Sequence, residues 1–413
     1  MARLGLCIVT IACLLLTTGF ASEFTDGLKS GNIDLKSAAQ LAFGPEGILF
    51  IGDSHQASIF AVDTGDMKPA ISSAKLEIKG INGRIAALLG TGPDDVIIND
   101  FKVSPYSKAI YIAVSRGRGA DATPVILRMD GSGKMTEFSL KNVKYSSVTL
   151  PDAAEWNPAR KERTPNGDVN GNPRIQSITD MSYVNGKVLV AGLSNEDFAS
   201  DLRVIPFPFK AVDRSTGIQI WHSAHGRYET ASPVRTFVPY TIGKEEYILA
   251  AYTCTPLVKI PVNSLKPGAK VTGTTIAELG NSNRPLEMVP YRRGGHDFVL
   301  MANNKRGIMK VFFDNLGSYK PILPPTPQCE ESREGQGPGL GPKGCQGPTT
   351  GVPYETIAGL TGVVQMAKID DDYGLILSDS TATSPALHLV PGQATWHAPD
   401  VGASLDLKAI PLP

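Results

Sequence analysis

An apolar run of four to six residues, a short polar loop and a second apolar run recur six times along this chain. The copies are Ile48–Ile51 with Ile59–Val62, Ile110–Val114 with Val125–Leu127, and Val188–Ala191 with Leu202–Ile205. They continue as Tyr247–Ala251 with Leu257–Ile260, Phe298–Ala302 with Ile308–Val311, and Leu375–Ser378 with Leu387–Val390. A further apolar run precedes each pair: Ala39–Phe43, Asp100–Val103, Ile178–Tyr183, Arg235–Tyr240, Leu286–Tyr291 and Gly362–Ile369. Each unit therefore offers at least three antiparallel strands, here called A, B and C. The B strands are almost continuously apolar, the signature of burial on both faces between stacked sheets. Small sheets repeated in this way build a β-propeller or a solenoid. The 42 Gly and 31 Pro residues supply turns and argue against a helical bundle. Helical patterning is confined to Arg84–Leu89 and to Asn32–Gln40.

The reading is one all-β domain over residues 22–413, a six- to seven-bladed β-propeller of antiparallel four-stranded sheets. Successive B strands lie between 50 and 78 residues apart, against about 40–50 in regular propellers, so the longer gaps carry insertions or hide a seventh blade. The candidate insertions are Lys144–Pro173 and Ile322–Pro353. A two-sheet sandwich is the alternative architecture.

Residues 1–21 read as an export signal: Arg3, an apolar run from Leu4 to Leu16, and Gly19 and Ala21 at a small-x-small cleavage site. The run is shorter than the about 20 residues that span a bilayer. The expected destination is the periplasm or the extracellular medium, as a monomer with no membrane span in the mature chain. Cleavage would leave Cys254, Cys329 and Cys345. Cys329 and Cys345 flank a Gly/Pro-rich stretch and are expected to pair in an oxidising compartment. Cys254 sits in the apolar context Ile248–Ile260 and reads as a buried, inert thiol. Forty basic and forty acidic residues give no net charge, and so no global attraction to nucleic acid or anionic lipid.

The segments Leu41–Asp53 with Ile59–Asp63, and Val103–Pro105 with Ile110–Val114, resemble blades of secreted bacterial propellers of the NHL, YVTN and gluconolactonase/regucalcin type. The resemblance speaks to architecture, since propellers host binding modules, scaffolds and several enzyme classes. In a propeller all loops after B strands emerge on one face around the central channel. Here those loops carry Asp53 and His55; Arg116; Asn195 and Glu196; Asn303 and Asn304; and Asp379. Such convergence suits a ligand pocket. The gluconolactonase-type resemblance implies a divalent cation near the axis, and Glu196, Asn195, Asn303 and Asp379 are oxygen donors of the kind that hold Ca²⁺.

Two further segments bear on chemistry. Asn166–Gly171 partly fits a calcium loop, but it opens on Asn and has Ser177 where a bidentate Glu is needed, so it reads as a turn. Trp221–Glu229 holds His222 and His225 three apart, with Glu229 four further on. One turn would bring the two imidazoles together, whereas an extended strand would point them to opposite faces. A hydrogen-bonded loop between blades is the expectation and a transition-metal or catalytic role the alternative, with His222 and His225 as candidate ligand-binding residues. The sequence has no G-x-S-x-G, H-E-x-x-H, P-loop or dinucleotide fingerprint.

The functional expectation is therefore an exported, non-catalytic propeller that binds a protein, glycan or small molecule on the channel face, with no certain cofactor. A metal-dependent lactonase-like hydrolase using Ca²⁺, with Glu196 and Asp379 as ligands or base, is the alternative. A quinone-dependent dehydrogenase ranks third, because no motif supports it.

Overall fold

The computed structural model describes residues 24–69, 72–157, 162–163, 169–170, 173–254, 256–280, 283–323, 349–360, 362–382 and 402–413. Among them the strands form six antiparallel blades and one small two-stranded ribbon. The innermost strands, one per blade in chain order, are Leu41–Phe43, Val96–Val103, Asp180–Val184, Thr236–Ile242, Pro285–Arg293 and Val363–Lys368. They pack side by side in a closed ring. The B strands behave as their apolar sequence demands: Ile48–Asp53 is buried at every position, and Val188, Leu189, Val190 and Ala191 are each at most 1 % exposed. Each blade is sandwiched by its neighbours, so both pleat faces shed water, at roughly 1.5–3 kcal/mol per large aliphatic side chain buried.

The ring is not traversed in chain order. Blade 1 packs against blades 2 and 3, and blade 6 packs against blades 5 and 2, giving the circular order 1-3-4-5-6-2. The apolar clusters follow this order. Leu41 and Leu49 of blade 1 pack with Tyr111 and Ile126 of blade 2, while Phe50 and Ile59 of blade 1 pack with Val188 and Val190 of blade 3. Two segments make the arrangement possible. After blade 1 the chain supplies Glu77–Ile78 as the outermost strand of blade 6, paired to Leu405–Pro411, and then forms helix Ile81–Leu89. After blade 2 it returns as Val143–Thr149, paired to Ser58–Asp63 of blade 1. The first two blades are thus laced to the last, and the ring is closed by strands far apart in sequence.

Side chains on the inner strands close the centre. Asp100 accepts a hydrogen bond from the Leu41 amide (2.8 Å), and Asp180 from the Phe237 amide (2.7 Å). The Gln365 amide donates to the Asn99 carbonyl (2.6 Å). The Lys102 ammonium lies 3.2 Å from both Asp100 and Glu287, so it reaches past blade 6 from blade 2 to blade 5. Burial pushes Asp180 up to about 6 and Glu287 up to about 8, with Lys102 partly offsetting both.

Several sequence expectations are corrected here. The third strand of blade 6 is Leu405–Pro411, paired to Tyr373–Asp379; Leu387–Val390 lies outside the described residues. The stretch expected as an insertion from Lys144 opens with a blade strand, because blade 1 needs an outer edge. Asn32–Gln40 is extended and irregular; its Lys36 and Ser37 bind Asp53 instead of forming a helical turn. Residues 1–21, Cys329 and Cys345 lie outside the described residues, as does most of Asn166–Gly171. Among the described residues no helix is long and apolar enough to cross a membrane.

Candidate functional site

Antiparallel order fixes which loops share a face. If B strands end on the upper face, C strands begin there and fourth strands end there. The upper face therefore gathers the B–C loops and the exits of the fourth strands. It holds all ten residues singled out from the sequence, but it does not bring them together.

On blade 1, Asp53 is fully saturated. It accepts from the Lys36 amide (2.6 Å), the Ser37 hydroxyl (2.8 Å), the Gln56 amide (3.0 Å) and the Gln56 side chain (2.7 Å). His55 packs against Trp156 with ring centroids 4.0 Å apart and the planes tilted by 35°, and burial lowers its pKa. Arg116 on blade 2 is exposed and donates to the Leu89 carbonyl (3.3 Å). On blade 3, the Asn195 amide donates to the Asp152 carbonyl (2.8 Å), and Glu196 pairs with Arg214. On blade 5, Asn303 accepts from Asn283 (3.0 Å) and Asn304 accepts from the Arg284 amide (2.7 Å). Asp379 on blade 6 accepts from the amide and hydroxyl of Thr381 (2.8 and 2.6 Å). Glu196 and Asp379 belong to blades on opposite sides of the ring; Glu196 is paired with Arg214 of its own blade and Asp379 is satisfied by its own loop. The nearest thing to an axial cation is the Lys102 ammonium.

One group does converge. The outer strand of blade 3, Thr216–His222, leaves its own blade and runs beside the edge of blade 4, parallel to Lys270–Thr272. It then turns back through Ser223–Gly226 into Arg227–Glu229. Gly226 at φ 61° and the bonds from His225 N to His222 O and from Gly226 N to Ser223 O (both 3.1 Å) close the turn. The turn brings the two imidazoles to a centroid distance of 3.9 Å, the outcome an extended strand would forbid. Glu229 on the returning strand holds both: His222 Nδ1 is 2.8 Å from one carboxylate oxygen and His225 Nδ1 is 2.7 Å from the other. Arg227 (3.2 Å) and the Ser232 hydroxyl (2.9 Å) support the same carboxylate.

Blade 4 supplies the opposite wall. Its B and C strands, Glu245–Ala251 and Pro256–Pro261, are joined by a tight loop that carries Cys254 at φ 64°. That left-handed conformation is strained for a residue with a Cβ. The Cys254 amide donates to the Asn283 carbonyl (2.7 Å), which fixes the loop. One ligating atom from each of His222, His225 and Cys254 lies within 4.8 Å of the others. Glu278 ends the fourth strand of blade 4, directly across from Pro256. One of its carboxylate oxygens accepts from the Ser223 amide (2.7 Å). The other, Oε2, has no hydrogen-bond partner among the described residues, and neither has His222 Nε2. His222 and Glu278 are each 2 % exposed, Cys254 6 %. His225, whose side chain is 26 % exposed, is the open side of the pocket.

The electrostatics reflect this crowding. Burial alone would lower His222, but the neighbouring Cys254 thiol and the Glu229 carboxylate push it up to about 9. The same two partners push His225 up to about 9. Burial works to raise Glu229, yet the two imidazoles hold it far below the usual carboxylate range. Burial pushes Glu278 up to about 7, against the attraction of His222.

Sequence reasoning found His222 and His225, noted Glu229 and read Cys254 as a buried thiol, as it is, but did not connect Cys254 to the histidines and passed over Glu278. A local signal for the Cys254 loop was present: Thr253 and the X-Pro step at Pro256 interrupt the apolar run.

No protein-family model and no curated protein matches the sequence. Among solved structures, the chain aligns with a PQQ-bound aldose sugar dehydrogenase from Streptomyces coelicolor at 11 % identity and TM-score 0.29, covering 92 % of this chain and 97 % of that one. It aligns with a streptogramin B lyase at 8 % identity and TM-score 0.34, over 93 % and 97 % of the two chains. A protein of unknown function from Dyadobacter fermentans aligns at 10 % identity and TM-score 0.35, over 93 % and 99 %. The propeller assignment rests on the strand order of this chain itself.

Proposed function

We propose that this is an exported, non-catalytic binding propeller whose small-molecule ligand is taken up on the upper face, between the blade 3 hairpin and the blade 4 loops. One observation carries the reading. His222, His225 and Cys254 converge in a buried corner, and Glu278, which interacts electrostatically with His222 and Cys254, has its Oε2 buried with no hydrogen-bond partner among the described residues, where buried polar atoms are ordinarily paired. Three other carboxylates of this face, Asp53, Glu196 and Asp379, are each paired to neighbouring side chains or amides. Trp221 and the half-exposed Tyr228 pack edge to face at 5.1 Å on the same hairpin and offer an aromatic rim. Lactonase chemistry through Glu196 and Asp379 is not part of this reading, because those carboxylates stand in opposed blades.

The test is a thermal-shift screen of the purified protein against small molecules and oligosaccharides, repeated with His225→Gln and Glu196→Gln. A ligand that raises the melting temperature of the wild type and of Glu196→Gln, but not of His225→Gln, supports the site. Equal shifts in all three proteins would place binding elsewhere.

A further inference from the structure

We propose that His222, His225 and Cys254 form a binding centre for a d-block cation of the zinc kind, with a fourth position open to the ligand. The inference rests on the binding site proposed above and names how that site would hold its ligand.

The donor set is the first argument. Two imidazoles and a thiolate select zinc or copper over calcium or magnesium, which take oxygen. Metal–nitrogen bonds of about 2.0–2.1 Å and metal–sulfur bonds of about 2.3 Å put tetrahedral donors roughly 3.3–3.7 Å apart. The three ligating atoms already lie within 4.8 Å of one another, so small side-chain rotations close the set.

The second argument is orientation. A ligating histidine characteristically gives its other ring nitrogen to a carboxylate, which fixes the ring and makes it a better donor. Here a single carboxylate, Glu229, does this for both rings at 2.7 and 2.8 Å. That leaves Nε2 of each ring for the ion. His222 Nε2 is buried and without a hydrogen-bond partner among the described residues.

The third argument is placement. Three protein donors leave one tetrahedral position, the arrangement of zinc sites that bind water or substrate. Glu278 is not one of the three converging ligating groups, but it accepts from the Ser223 amide and interacts electrostatically with His222 and Cys254, and its Oε2 is buried with no hydrogen-bond partner among the described residues. It is placed to accept a hydrogen bond from a metal-bound water or ligand. The ligand class this implies is a small molecule with a Lewis-basic oxygen or sulfur, entering past His225.

The test is titration of the chelator-stripped protein with Zn²⁺ and, in parallel, Co²⁺. One ion per chain is expected, and Co²⁺ should give a thiolate-to-cobalt charge-transfer band in the near ultraviolet with the intense visible bands of four-coordination. Cys254→Ser should lose the charge-transfer band. Glu229→Gln should weaken binding about 10–100-fold, the usual effect of removing such an orienting carboxylate. His225→Gln, at the partly open ring, should also bind more weakly while keeping a wild-type circular-dichroism spectrum. Glu196→Gln and Asp379→Asn should titrate as wild type. An absence of bound ion, a cobalt spectrum without the thiolate band, or wild-type affinity in Cys254→Ser would each overturn the centre. Small-molecule binding that persists in the stripped protein and is lost in His225→Gln would overturn the metal while leaving the binding site standing. Loss of neither would overturn both.

Discussion

The two faces of the propeller treat a carboxylate drawn out of water, half-buried on one face and buried on the other, in opposite ways. On the lower face Asp66 receives Arg128 Nε (2.7 Å) and NH2 (3.0 Å), the Tyr111 hydroxyl (3.0 Å) and the Ser107 hydroxyl (2.9 Å). These partners all come from blade 2, so the cluster ties that blade to the end of the third strand of blade 1. On the upper face Glu278 receives the Ser223 amide, and its second oxygen is left without a partner among the described residues. A saturated carboxylate stabilises the fold, whereas an incompletely paired one costs stability that only a bound species recovers. The difference distinguishes a structural joint from a site.

The largest expected effect lies on the structural side. Asp66→Ala leaves the Arg128 guanidinium without its counter-charge and removes four hydrogen bonds from a half-buried carboxylate, and should cost about 2 kcal/mol of unfolding free energy, measured by urea denaturation. Glu278→Gln should change stability by less than about 1 kcal/mol, because it removes a buried charge that was poorly paired. A loss as large as that of Asp66→Ala would break the comparison.

The two faces should also differ in the sign of their pH dependence. Burial works to raise Asp66, but hydrogen bonds from Arg128, Ser107 and Tyr111 outweigh it and hold its pKa below the ordinary 3.8. Its contribution is present above that ordinary value and is lost as pH falls through the depressed one. Glu278, raised from 4.5 to about 7 by burial, does the reverse: the folded state holds the extra proton, so stability declines as pH rises across that interval. His222 and His225, raised from 6.5 to about 9, contribute stability present below 6.5 and lost as pH rises through 9. Metal-free protein should therefore lose stability from mildly acidic to alkaline pH. Glu278→Gln should flatten the lower part of that slope and Asp66→Asn should leave it untouched, as followed by melting temperature against pH. The smallest expected effect is Glu196→Gln, whose partner Arg214 is mostly exposed; its melting temperature should match wild type.

The blades were legible in sequence because a B strand buried on both faces must be apolar throughout, and six such runs stand out. Their circular order was not. Glu77–Ile78 is a two-residue strand and carries no pattern, yet it places the first two blades against the last. Leu405–Pro411 lost its place to Leu387–Val390 because adjacency along the chain is the default expectation for strand pairing, and this chain departs from it. The site was half legible. His222, His225 and Glu229 lie within eight residues, so their type and spacing could be noticed. Their convergence depended on a turn at Gly226, and a strand reading would have separated them. Cys254 and Glu278 come from other strands and meet the histidines only because the outer strand of blade 3 swings onto blade 4. No local spacing encodes that contact.

X-ray absorption at the zinc edge of the zinc-loaded protein tests the central claim most directly. The account predicts a four-coordinate ion with two imidazole nitrogens, one sulfur at about 2.3 Å and one lighter atom from water or ligand. A shell of oxygen atoms alone, with no sulfur, would contradict it.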